Sequence, residues 1–101
     1  MTEQDIERID SVVNAVTAVD GVVGLHPGGI GAPATYLPGR TVRGINLGPD
    51  HGRMEVVVEL RPGLWQIAQE ARRVASEAAG VPVDVLVSDV VAPGAPSERE
   101  E

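Results

Sequence analysis

The chain has 101 residues, a net charge of −7 and no cysteine. At roughly 100–200 residues per domain this is one small unit, and the missing thiols exclude disulfides, thiolate metal sites and cysteine nucleophiles. All eight cations are arginines among 15 acids, a balance that argues against bulk binding of a phosphate backbone, which needs clustered positive charge.

A core here has to be aliphatic, because phenylalanine is absent and Tyr36 and Trp65 are the only aromatics. No apolar run approaches the roughly 20 residues that span a bilayer. The start, Met1-Thr2-Glu3-Gln4-Asp5, is acidic where a signal peptide is basic and then apolar. The expectation is a cytoplasmic protein with no direct membrane insertion.

Thr2-Glu3-Gln4-Asp5 resembles an N-cap sequence. Ile6, Ile9, Val13 and Val16 follow at three- and four-residue steps, widened by Val12 and Val19, which predicts a helix over 3–19. Asp20-Gly21 ends it, and Val22-Val23-Gly24-Leu25 reads as a short strand. Residues 26–33 are too rich in Gly and Pro for regular structure. Tyr36-Leu37 adds a short extended piece before a Pro38-Gly39 turn. Residues 41–47 read as a strand whose pattern slips, and a bulge or kink at Gly44 reconciles Val42 with Ile45 and Leu47. Residues 48–52 are a hairpin loop.

The organising unit is strand, helix, strand over residues 53–90. In the first strand Met54, Val56, Val58 and Leu60 share a buried face, and Arg53, Glu55, Val57 and Glu59 a largely wet one. The helix over 64–79 carries an alanine-rich stripe of Leu64, Ile67, Ala68, Ala71, Ala75 and Ala78, so it can lie very close to a sheet. Gly80 stops it, and Val83, Val85 and Val87 align on the last strand after Pro82. These elements predict a two-layer α+β fold: a small mixed sheet of 3–4 strands with two helices on one face, in the order α-β-β-β-α-β. Residues 1–91 form the domain, and 92–101 an acidic tail without apolar pattern that is expected to be disordered.

No reactive constellation stands out. His26 and His51 lie in Gly/Pro loops without metal-ligand spacing, so neither a metal nor a cofactor is expected. Glu55 and Glu59, four strand residues apart, are separated by about 13 Å, too far for a glycosidase pair. No serine lies in a nucleophile-elbow context. Gly28-Gly29-Ile30-Gly31 matches the G-x-x-G of KH-type RNA-binding loops, but it holds no cation and is flanked by strands. Residues 21–49 contain no acid, while Arg40, Arg43 and Arg53 lie in or just after them, so a KH-like nucleic-acid module over 21–53 is the alternative reading. Trp65, at the strand-to-helix junction, is the first choice as an interface anchor, and Tyr36, Arg40, Arg43 and Arg53 complete the candidate binding residues.

In its order of parts the chain resembles the alkaline shock protein (Gls-type) family of bacterial envelope stress-response proteins. The likeness covers about residues 6–91. It rests on the first helix running into Val19-Asp20-Gly21-Val22-Val23-Gly24-Leu25, the Gly-rich loop, the strand over 54–60, the Gly63 entry to the second helix, and Ala79-Gly80-Val81-Pro82-Val83-Asp84-Val85. Family members usually carry Pro-Gly-Val where this chain has Asp20-Gly21-Val22. The resemblance implies a non-enzymatic, self-associating cytoplasmic protein of a Gram-positive bacterium. It also implies recruitment to the inner face of the membrane by a membrane-embedded partner. The arginine-only, Ala/Val/Gly-rich composition suits a high-GC actinobacterium.

Overall fold

A computed structural model describes residues 3–28 and 31–94. Along the chain these form α1 (Glu3–Thr17), β1 (Val22–Leu25), β2 (Ala34–Leu37), β3 (Arg40–Arg43), β4 (Ile45–Leu47), β5 (Gly52–Glu59), α2 (Leu64–Ala79) and β6 (Val83–Val91). The axis of the fold is β5. On one side β6 runs parallel to it, from Val83 opposite Gly52 to Val91 opposite Glu59. On the other side two short antiparallel strands share the edge end to end, with β4 along Gly52 to Met54 and β1 along Val56 to Val58. The hand-over falls at Glu55, whose amide donates to the Gly44 carbonyl at 2.9 Å and whose carbonyl accepts from the His26 amide at 2.8 Å.

The result is the expected α+β arrangement, a four-stranded mixed sheet with both helices on one face. The β2–β3 hairpin adds a separate two-stranded sheet, Ala34 opposite Arg43 through Leu37 opposite Arg40. It exists because the strand expected over 41–47 breaks at Gly44, whose φ of +93° is the left-handed region that a residue with a Cβ rarely adopts. One half then pairs back on β2 and the other with β5.

The periodicities explain the core. Ile9, Val12 and Val16 of α1 and Ile67, Ala71, Ala75 and Ala79 of α2 pack with Met54, Val56 and Val58 of β5. Ala71 and Ala75 are fully buried, so α2 meets its neighbours through side chains of a single methyl. Arg8 ties the layers together, its Nε donating to the Ala79 carbonyl at 2.8 Å and an η nitrogen to the Gly48 carbonyl at 3.2 Å. α1 ends two residues before its expected limit, where the Thr17 hydroxyl donates to the Val13 carbonyl and turns follow.

Two expectations for β5 need correction. Leu60 does not join Met54, Val56 and Val58 in the core: the strand ends at Glu59, and Leu60 is 59% exposed. Glu55 and Val57 are buried rather than on a wet face, for reasons described below. The capping residue Thr2 and residues 95–101 of the tail lie outside the described part. Within it, Ala92 to Gly94 leave β6 in a turn, and the Gly94 amide donates to Glu59 at 3.2 Å. No helix among the described residues is long and apolar enough to cross a membrane.

Candidate functional site

On the sheet face away from the helices, Glu55 is only 8% exposed. Three elements bury it. From β6, the Ser88 hydroxyl donates to Glu55 Oε1 at 2.8 Å. From the end of β1, His26 brings Nδ1 to 3.9 Å of the same oxygen. Along β5, an Arg53 η nitrogen stands 3.6 Å from Oε2. Gly28 closes over the group: a Cβ there would lie 3.8 Å from Oε1, in contact distance of the carboxylate.

Ser88 reaches the carboxylate because the β5–β6 register slips between Val56 and Val57, so that Val56 faces Val87 and Val57 faces Asp89. Ser88 is the extra residue of a β-bulge, a device that re-aims a side chain. The one local clue in the sequence was Val57, an apolar residue between Glu55 and Glu59 on a face read as wet.

The chemistry of this cluster is self-contained. A nucleophilic serine gives its proton to a histidine that an acid orients. Here Ser88 donates directly to the acid, and His26 Nδ1 accepts the Gly28 amide at 2.9 Å, so that nitrogen is committed to folding the loop. Among the described residues no group of three His, Cys, Asp or Glu side chains could hold a metal ion. The glycine loop leaves β1 and enters β2, and its Gly29 and Ile30 lie outside the described residues.

The expected binding residues fall on different elements. Tyr36, Arg40 and Arg43 belong to the β2–β3 hairpin, Arg53 to β5 and Trp65 to α2. One η nitrogen of Arg40 donates to both carboxylate oxygens of Asp10 of α1, at 2.9 and 3.0 Å. Beside it a depression of about 320 Å³ runs between α1 and the hairpin, lined by Val13, Leu25, Val42 and Arg43. Tyr36 is 76% and Trp65 71% exposed.

Three exposed apolar side chains, Leu60, Val90 and Trp65, lie at or just after the carboxyl ends of β5 and β6 in the chain. The Leu60 amide donates to the Val91 carbonyl at 2.7 Å, which sets Leu60 beside the end of β6, where Val90 is also exposed. After the turn at Arg61 to Gly63, α2 starts at the same end of the sheet and presents Trp65 in its first turn. Sequence reasoning had placed Leu60 inside, and so missed this grouping.

Charges frame that end. Arg61 donates to Glu59 at 2.5 Å and to Asp20 at 3.1 Å. The Arg61 guanidinium first, and the Gly94 amide second, hold the Glu59 carboxyl below its ordinary value of 4.5. Asp20 and then Glu59 hold the Arg61 guanidinium above its usual range. A carboxyl with a depressed native pKa stabilises the fold above its unfolded pKa and loses that contribution as pH falls through the native one. Arg61→Ala should therefore move the Glu59 pKa up toward the ordinary carboxylate range, with the Gly94 amide still holding it down in part, and shift the acid limb of unfolding to higher pH. A carboxyl-carbon NMR titration of Glu59 reads the first, and acid unfolding followed by circular dichroism the second.

No family model matches this chain, and no curated protein or solved structure is detectably similar to it.

Proposed function

We propose that this chain is a non-enzymatic interaction protein that associates with copies of itself and serves as a scaffold. The observation that carries the reading is the exposure of Leu60, Trp65 and Val90, which lie at or just after the carboxyl ends of β5 and β6. Large side chains left exposed together on a small domain mark an interaction surface, and a tryptophan is the commonest anchor of such surfaces. The fold has not run short of places to bury them, since Ala71 and Ala75 occupy core positions that larger residues fill elsewhere. The polar groups Glu55, Ser88 and His26 are engaged with one another and with the Gly28 amide.

The resemblance to the Gls-type alkaline shock proteins supports the same reading. It adds a place for the scaffold: the bacterial cytoplasm, and the inner face of the membrane when an embedded partner recruits it, in response to envelope stress.

Light scattering on a size-exclusion column tests the proposal. The chain is expected to elute above monomer mass at high concentration, and Trp65→Ala with Leu60→Ser to weaken association at least tenfold. The unfolding free energy from urea titration should stay within a few tenths of a kcal/mol of wild type, as for solvent-exposed substitutions. A strict monomer at millimolar concentration would sink the reading.

A further inference from the structure

The long strand β6 has one side bonded to β5 and, among the described residues, no strand on the other. We infer that this open edge, with its acids Asp84 and Asp89, is a docking strand for an extended segment of another protein in which two basic residues flank an apolar one. The inference rests on the reading of the chain as an interaction protein, but it uses residues 84–89 of β6 rather than Leu60 and Trp65.

Near the two ends of this nine-residue strand the Val83 amide donates to the Ser76 hydroxyl at 3.0 Å and the Val90 amide to Asp89. The stretch between them has no strand partner on its outer side among the described residues, and such an edge is a template for a further strand. Peptides that add to such edges bind through the main chain and are selected by side chains at alternate positions. Along β6, Val83, Val85 and Val87 turn toward the helices and pack against the core. Asp84, Leu86 and Ser88 alternate with them on the other face, and the bulge places Asp89 there too, opposite Val57. Leu86 is exposed. The strand contains no cation. Asp84 holds only the exposed His51 ring, at 2.8 Å. Asp89 accepts the Val90 amide at 2.9 Å and, among the described residues, has no cationic partner.

This pattern chooses the occupant. A bulge sets two residues against one on the neighbouring strand, so Ser88 and Asp89 count as a single position. A strand of the form Lys-Val-Leu-Val-Lys then meets Asp84 with its first lysine and Leu86 with its leucine. Its second lysine meets Asp89, and its valines extend the row of Val85 and Val87. A second copy of β6 is the poorer occupant. It brings the same two acids without a cation, and its own bulge at Ser88 breaks the alternation of faces in both strands at once. Acids on an edge usually guard against self-pairing, and here the same repulsion that rejects a copy admits a basic strand, which is how attraction and exclusion combine in specific interfaces.

The test uses the full chain and a labelled peptide, acetyl-Thr-Lys-Val-Leu-Val-Lys-Thr-amide, with fluorescence anisotropy at low and high salt. Binding should be saturable, weaken as salt rises, and fall at least tenfold for the peptide with glutamates in place of lysines. In the Asp84→Lys, Asp89→Lys double variant the preference should reverse. N-methylation of the peptide's valines should abolish binding, and bound peptide should slow amide exchange at Val85 and Val87. Equal binding of the two peptides, no change in the double variant, tolerance of N-methylation, or no added protection in β6 would each overturn the inference. A chain that self-associates yet binds neither peptide fails here and leaves the scaffold reading standing; one that binds the peptide but stays monomeric does the reverse.

Discussion

Gly44→Ala is expected to cost about 3 kcal/mol or more of stability, a large part of the 5–15 kcal/mol typical of a small domain. Two costs add. At a φ of +93° an alanine is held in the left-handed region, which costs on the order of 1–3 kcal/mol. Its methyl would also lie 2.7 Å from the His26 carbonyl oxygen and 3.0 Å from Leu25 Cβ, both on a strand end that cannot swing away. Forcing volume into such a place costs roughly another 1–3 kcal/mol. The position has no slack, because the Gly44 amide and carbonyl are bonded to Pro33 and Glu55. Urea unfolding should show a lower midpoint with an unchanged slope. A contrasting change, Gly39→Ala, meets nothing within 4 Å, so it carries the backbone strain without the collision. If the two variants lost equal stability, close packing at the β1–β4 junction would be the wrong explanation.

That junction also shows where the sequence could be read and where it could not. A break at Gly44 was visible because Val42 faces one way while Ile45 and Leu47 face the other, a local violation of period two. α2 was legible over its whole length, since its alanine stripe and the two flanking glycines are signals contained in the helix itself. The burial of Glu55 was not. It depends on His26, Gly28 and Ser88, residues 27 to 33 positions away that arrive through loop closure and a bulge. Leu60 failed for a related reason: alternation says which face a residue takes, but not where the neighbouring strands and helices stop covering it. Strand length is set by partners, and partners are non-local.

The same distinction separates fold from function in this molecule. Its regular parts make a core from small aliphatic side chains, and the helix-side face of the sheet is consumed in doing so. What remains available is on the other face and at the ends: the Glu55 carboxylate with Ser88, His26 and Gly28 about it, the exposed Leu60 and Trp65, and the open edge of β6. The first is engaged by Ser88 and flanked by His26 and Arg53. The other two are exposed surfaces.

Met54→Ala tests the other side of that division and is expected to destabilise the chain by about 3 kcal/mol, within the roughly 2–5 kcal/mol seen for Met or Leu to Ala in cores. Met54 is fully buried and sits at the crossing of the sheet, opposite Ile45 of β4 and Val85 of β6. The core cluster it belongs to is mostly valines, alanines and isoleucines, with Leu25 the one leucine among its buried members, so few side chains are long and flexible enough to fill the space its thioether leaves. Met54→Leu, which keeps most of the volume, should cost less than about 1.5 kcal/mol. Urea midpoints for the two variants and for Trp65→Ala should therefore rank Met54→Ala far below Met54→Leu, with Trp65→Ala close to wild type. A Trp65→Ala midpoint as low as that of Met54→Ala would mean that the tryptophan supports the monomer's own fold, and would remove it as the anchor of an interface.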